Sequence, residues 1–318
     1  MKEFDFIKSI KQSTYSQPSV IKGVGDDAAV FRQGHADIVT AVDTFVEGVH
    51  FTKETMGVYD VGYRALAANI SDIAAMGATP VMYLVSVVFP NTWTAQERLH
   101  LMNGMKELAQ AYRMDMIGGD TVAGDTFVLS VTIIGYVHAS KVRYRSTAQE
   151  NDVVFVTGTL GDAAAGLSIL LNEVDGIKYD KYFIHRHIRP TPRITFAEAL
   201  HTIDRVTLND VSDGIASEAT EIAQASHVDI YLSDEKVPVS RHYNQFPPSQ
   251  QYNWKYFGGE DFEMLGTVAR RDWETVQLAA KITGVDVTEI GTVTSGSGKV
   301  YLEQNGSTKP LPKKGYQH

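Results

Sequence analysis

The stretch Gly23-Val24-Gly25-Asp26-Asp27-Ala28-Ala29-Val30-Phe31, GVGDDAAVF, decides the fold. Its first six residues match Gly-x-Gly-x-x-Ala, and Asp43 follows at about the distance of a ribose-binding acid, the pattern of a dinucleotide-binding strand, turn and helix. Two features exclude that reading. The residues after Ala28 are strand-like and lead through Arg32-Gln33-Gly34-His35 into another apolar run, Ile38 to Phe45, so the chain turns into a hairpin and not a helix. Asp26 and Asp27 also stand where a pyrophosphate would carry its own negative charge.

Working outward from this hairpin, strand and helix alternate. The run YRALAANISDIAAMGA reads as a helix beginning near Asp60, with Leu66, Ile70, Ile73 and Gly77 on one face, Asn69 and Asp72 on the next, and Gly77 as its stop. Val81 to Phe89 reads as a strand, and Thr94-Ala95-Gln96-Glu97 is a capping box for a helix with the stripe Leu101, Met105, Leu108 and Tyr112. Met116 to Thr121, MIGGDT, reads as a turn entering a strand over Phe127 to Val137.

Residues 138–152 are polar, carry Lys141, Arg143 and Arg145, and mark a boundary between a domain over 1–138 and another over 139–318. The second half restarts with a strand, Val153 to Thr157, and a small-residue helix from Ala163. Asn209 to Gly214 then precedes a helix, Gly258-Gly259-Glu260-Asp261 precedes a strand, and Ser295 to Gly298 reads as a turn. The expectation is a two-domain α/β and α+β chain, without repeats of solenoid or propeller period.

Composition narrows the function. With 29 basic against 38 acidic residues and a net charge of −9, the chain lacks the basic excess that grips nucleic acid. It has no cysteine, so disulfides, thiolate metal sites and thiol nucleophiles are excluded, and a reducing cytoplasm suits it. The opening Met1 to Phe6 has no signal-peptide blocks, and the longest apolar run, Val81 to Phe89, is well short of the ~20 residues that span a bilayer. A soluble cytoplasmic protein is expected.

What recurs instead is aspartate at turns and helix faces: Asp26, Asp27, Asp43, Asp72, Asp120, Asp210 and Asp213. Singly, each is an ordinary turn or cap residue. As a set they are costly, because two carboxylates about 5 Å apart at an effective dielectric of 20 repel by roughly 3 kcal/mol. Converging acids take up protons or bind cations, and oxygen ligands without histidine or thiolate suit Mg²⁺, which completes its shell with water and substrate phosphates. An acidic chain can handle ATP in that way. The glycines before Asp120 and Glu260 allow close approach of the main chain, Arg145 can clamp a phosphate bidentately, and His50 can meet an anionic substrate.

In order, GVGDDAA, AVDTFVEGVHF, ANISDIAAMGA, IGGDT, YRS, VTGTLGDAAAGL, HIRPTPR, NDVSDG, FGGEDFE and the terminal KGYQH resemble the thiamine-monophosphate kinases, of the superfamily that includes aminoimidazole ribonucleotide synthetase. The resemblance runs over nearly the whole chain. It implies aminoimidazole-ribonucleotide-synthetase-like N-terminal and C-terminal domains, and a homodimer formed through the N-terminal one. It implies several Mg²⁺ ions, with ATP and thiamine monophosphate as substrates and ADP and thiamine diphosphate as products. By the same resemblance Asp26, Asp27, Asp43, Asp72, Asp120, Asp210 and Asp213 match metal-site acids. Gly119, Asp120, Arg145 and Ser212 match ATP-binding positions, and His50, Glu260 and Tyr316 match positions that contact thiamine phosphate. One departure is Ala41-Val42 before Asp43, where the family often has Ser-Thr, so no hydroxyl is available there. Two alternatives stand beside this reading: an aminoimidazole ribonucleotide synthetase-like enzyme, and a non-catalytic nucleotide- or metal-binding module.

Overall fold

The computed structural model describes residues 20–22, 26–27, 29–34 and 36–315. Two sheets form the frame. The first is built from β1 (Val20–Lys22), β2 (Ala29–Gln33), β3 (Ala36–Val46), β4 (Thr79–Pro90), β5 (Asp115–Gly124) and β6 (Val128–His138), in the order β1-β2-β3-β6-β4-β5. Only its β4–β5 pair is parallel. The hairpin expected after Ala28 forms as β2 and β3, and Asp26 and Asp27 lie in a bend between β1 and β2.

Helices α1 (Val58–Ala75) and α2 (Ala95–Ala111) follow β3 and β4. The capping box of α2 forms as the sequence specifies, Thr94 Oγ1 accepting from the Glu97 amide and Glu97 accepting from the Thr94 amide. The two helices cross on glycine: a Cβ on Gly62 would sit 2.0 Å from the Leu101 carbonyl oxygen, and one on Gly104 1.8 Å from that of Tyr59. Gly104→Ala should force the helices apart and destabilise the protein by about 1–3 kcal/mol or more, read as a lowered midpoint in urea.

Residues 116–121, expected as a turn, are strand. Parallel pairing on β4 across the α2 crossover supplies the ladder, and Gly119 (φ 153°) lets the two backbones meet, since a Cβ there would fall 1.8 Å from the Val85 carbonyl oxygen. β5 is the sheet edge, and nearly all of its residues are exposed.

The second sheet holds β7 (Asp152–Thr157), β8 (Val206–Asp210), β9 (Val228–Ser233), β10 (Met264–Ala269), β11 (Val287–Ser295), β12 (Val300–Gln304) and β13 (Ser307–Pro310), in the order β13-β12-β9-β11-β7-β10-β8. Helices α3 (Asp162–Leu170), α4 (Asp180–Ile188), α5 (Ile194–Ala199), α6 (Ile215–Ser226), α7 (Pro248–Phe257) and α8 (Trp273–Thr283) surround it. Every residue of β7 and of the terminal strand β8 is buried, so both are covered on both faces. One apolar core contains Leu66, Ile70 and Ile73 of α1, Val131 and Ile133 of the first sheet, and Phe155 and Leu208 of the second. Helix α1 thus lies between the sheets and is packed by both. Among the described residues no helix is long and apolar enough to cross a membrane.

Candidate active site

The polar end of this junction gathers acids from three elements. One carboxylate oxygen each of Asp27, Asp72 and Asp210 lies within 4.8 Å of the other two. Asp27 comes from the bend before β2, Asp72 from the last turn of α1 and Asp210 from the end of β8. The i, i+3 spacing places Asn69 beside Asp72, and its Oδ1 accepts from the Asp43 backbone amide at 3.2 Å, fastening β3 to the helix. Ser71 Oγ donates to Asp210 Oδ2 at 2.7 Å, fastening the same helix to β8.

Arg145 stands among these acids. Its Nη2 meets Asp27 Oδ1, its Nε donates to Asn209 Oδ1 at 3.0 Å and lies 3.6 Å from Asp26 Oδ1, and its Nη1 is 3.8 Å from Glu221. Asn209 in turn donates to Glu218, whose other oxygen accepts from the Asp213 amide at 3.2 Å. Sequence reading passed over Asn209 and Glu218. Glu218 looks like a first-turn acid favoured by the helix dipole, and only the fold shows that its carboxylate points back under the Asn209–Asp213 loop.

Crowding is visible in the acids' protonation. Burial, then the Asp213 charge, pushes Asp43 up to about 6, and burial pushes Asp210 up to about 6 against the lowering influence of Ser71 and Arg145. Asp72 is raised well above the usual carboxylate range by burial and by Asp43, Asp210 and Glu218, and burial lifts Glu218 to about 8. An acid raised on folding binds more protons folded than unfolded, so stability falls as pH rises from its unfolded value through its folded one. Without divalent cation the urea midpoint should therefore decline between about pH 5 and 8, and saturating Mg²⁺ should remove the decline; equal slopes with and without Mg²⁺ would count against a shared cation site.

The donor set fits a hard divalent cation. All three converging ligands are carboxylates, and the buried Asp27 Oδ2 and Asp210 Oδ1 find no hydrogen-bond donor among the described residues.

The other expected residues are distributed around this centre. Asp26, Asp43 and Asp213 border it through the interactions just described. Asp120 is elsewhere: it shares a row across the sheet with Thr44, Ser130 and Ser86, whereas Asp43 shares the next row with Val131, Val85 and Gly119. Alternate rows face opposite sides of a sheet, so Asp120 and Gly119 lie on the exposed edge strand, and Asp120 faces away from Asp43. Val42 also points to that outer side, 61% exposed, away from any role in ligation.

Ser212 accepts at its carbonyl from the Glu260 amide at 2.7 Å, joining the Asn209–Asp213 loop to the Gly258–Asp261 loop. Glu260 itself meets the buried Arg64 of α1 and lies 3.8 Å from His187. His50 follows β3 and stacks on Phe45, and its Nδ1 accepts from the Val46 amide at 3.1 Å, which leaves the proton of a neutral ring on Nε2. Tyr316 lies outside the described residues; Gly315 before it is against Asp213, where an added Cβ would be 2.3 Å from the carbonyl oxygen.

Two protein families account for most of the chain. Residues 25–137 match the AIR synthase related protein N-terminal domain, and residues 149–303 the AIR synthase related protein C-terminal domain. A thiamine-monophosphate kinase of Bacillus subtilis is 45% identical over 325 residues, covering 100% of this chain and 99% of that relative. The solved structure of AaThiL complexed with AMPPCP and TMP superposes with a TM-score of 0.86 at 30% identity, covering 100% of this chain and 97% of the other. The thiamine-monophosphate kinase of Stenotrophomonas maltophilia K279a gives 0.79 at 29% identity, over 95% and 96% of the two chains. A full-length match at this identity, on the same two-domain frame, means that the chain belongs to the thiamine-monophosphate kinase family.

Proposed function

We propose that this chain transfers the γ-phosphoryl group of ATP to thiamine monophosphate, giving ADP and thiamine diphosphate. The observation that carries the reading is the convergence of Asp27, Asp72 and Asp210 against Arg145. It occurs in a chain aligned end to end with thiamine-monophosphate kinases, one of which is solved with an ATP analogue and TMP.

The acceptor is a phosphate oxygen, anionic at neutral pH, so the reaction needs no strong general base. Its obstacle is charge, because two polyanions must meet in an acidic protein. Asp27, Asp72 and Asp210, with Asp26, Asp43 and Asp213 beside them, would hold Mg²⁺. When bound, Mg²⁺ would supply the positive charge that offsets the phosphate charge there.

The chain's own groups do the rest in this reading. Arg145, held in place by Asn209 and Asp27, offers its guanidinium to the transferring group; Ser212 and the Gly119 backbone bind nucleotide; His50 and Glu260 orient the acceptor for in-line attack. Incubation with Mg-ATP and thiamine monophosphate should yield thiamine diphosphate and ADP in equal amounts. No thiamine diphosphate above a protein-free control would rule the reading out.

We also propose the division at 138/139 and a homodimer through the first domain. The exposed edge strand β5, with Met116, Ile117 and Val122 at 52%, 53% and 47% exposure, and Val42 on the outer face of the same sheet, supply apolar surface for it. Light scattering at micromolar concentration should give twice the chain mass of 35.0 kDa. A monomeric mass would reject the dimer.

A further inference from the structure

Helix α1 is tied to the second half at two points on one side. Ser71 Oγ donates to Asp210 Oδ2 at 2.7 Å, beside the converging aspartates. Seven residues earlier, Arg64, with no exposed side-chain surface, meets Glu260 through Nη2 and donates from Nη1 to the His187 carbonyl at 2.5 Å. A separation of seven residues is two helical turns, about 10 Å along the axis, and returns to the same face.

The far ends of these ties are themselves joined, since the Glu260 amide donates to the Ser212 carbonyl at 2.7 Å. Glu260 keeps 31% of its side chain exposed and is held with φ +69°, a conformation that costs a non-glycine residue energy and persists only when its surroundings fix it. The result is a closed frame, α1 to Asp210 to Ser212 to Glu260 and back to α1. Its sides fix how far the Glu260 carboxylate stands from the phosphate-handling acids.

We propose that Arg64 is a specificity-determining positioning residue: from an anchor two helical turns along α1 from the Ser71–Asp210 tie it fixes the Glu260 carboxylate relative to the metal-site acids, so that the site accepts phosphate monoesters whose cationic organic head reaches Glu260. The inference rests on the phosphotransfer reading above. A guanidinium suits the task because its rigid fork meets a carboxylate and a carbonyl at once, which a lysine ammonium on a flexible stem does less well. An acceptor with a shorter head would place its phosphate among the acids and leave Glu260 unmet. Such an acceptor would forgo the charge interaction that the longer head makes with the partly exposed Glu260 carboxylate.

The test compares two acceptors, thiamine monophosphate and the shorter phosphate ester of N-methylated hydroxyethylthiazolium, which keeps the positive charge, in the wild type, Arg64→Met, Arg64→Lys and Glu260→Gln. The wild type should favour the longer acceptor in kcat/KM. Arg64→Met should lower that preference at least about ten-fold by raising KM for thiamine monophosphate, with KM for ATP within about two-fold of wild type; Arg64→Lys should fall between. Glu260→Gln should reproduce the loss of preference, so the idea remains testable if Arg64→Met does not fold. An unchanged preference in Arg64→Lys and Glu260→Gln, or equal rises in both Michaelis constants, would overturn it. If the wild type turns over neither acceptor, the phosphotransfer reading itself has failed.

Discussion

Asp27→Ala should lower turnover by about two to three orders of magnitude while leaving the fold intact. Asp27 lies in a bend between two short strands and contributes nothing to the apolar cores, so removing its carboxylate empties no packed space. Its loss also relieves crowding: oxygens within 4.8 Å of one another repel by roughly 3 kcal/mol per ionised pair at an effective dielectric of 20. Without divalent cation the variant should therefore melt no lower than the wild type. What should vanish is the rise in melting temperature that Mg²⁺ gives the wild type, because that rise measures cation affinity for the folded state alone. Near-wild-type turnover at saturating Mg²⁺ would refute a role for Asp27 in the shared site. A large drop in metal-free stability would show that its pairing with Arg145 is structural.

Arg145→Ala should have the other large effect, a loss of about 10³-fold or more in kcat, the range found for arginines that stabilise a transferring phosphoryl group. Arg145 is mostly buried and surrounded by Asp26, Asp27, Asn209 and Glu221, so its charge is oriented before any ligand arrives. Arg145→Lys keeps the charge and loses the planar fork, and should recover only part of the rate. Asn209→Ala separates orientation from charge, since it leaves the guanidinium present but removes its 3.0 Å acceptor; kcat should fall about ten-fold with little change in KM for ATP. Equal rates in Arg145→Lys and wild type would mean that a point charge suffices there.

Much of this arrangement was readable from residue pattern. The helix stop at Gly77, the capping box Thr94–Glu97 and the neighbouring placement of Asn69 and Asp72 depend on local spacing, and each forms as its spacing requires. MIGGDT reads as a turn because its ladder comes from β4, 33 to 34 residues away in the chain, and paired glycines look alike in a turn and in a close parallel approach. The supporting residues were illegible for the same reason. Asn209, Glu218, Ser71 and Arg64 resemble ordinary helix and strand residues until two sheets bring their partners into reach. Composition could require that converging acids be compensated. It could not show that three converge in one chain while Asp120 faces the other side of the sheet.

Helix α1 has buried residues on every side, among them Val61, Ala65, Leu66, Ala68, Ile70, Ile73 and Ala75. A helix buried all round needs neighbours all round. A fragment ending at residue 138 would keep the sheet beneath α1 and lose Phe155, Phe196, Val206 and Leu208 above it, leaving a greasy stripe in water. The separately expressed half should therefore aggregate or bind hydrophobic dyes, and the intact chain should melt in one cooperative step. The helix that carries Asp72 is a shared spine, and neither half owns it.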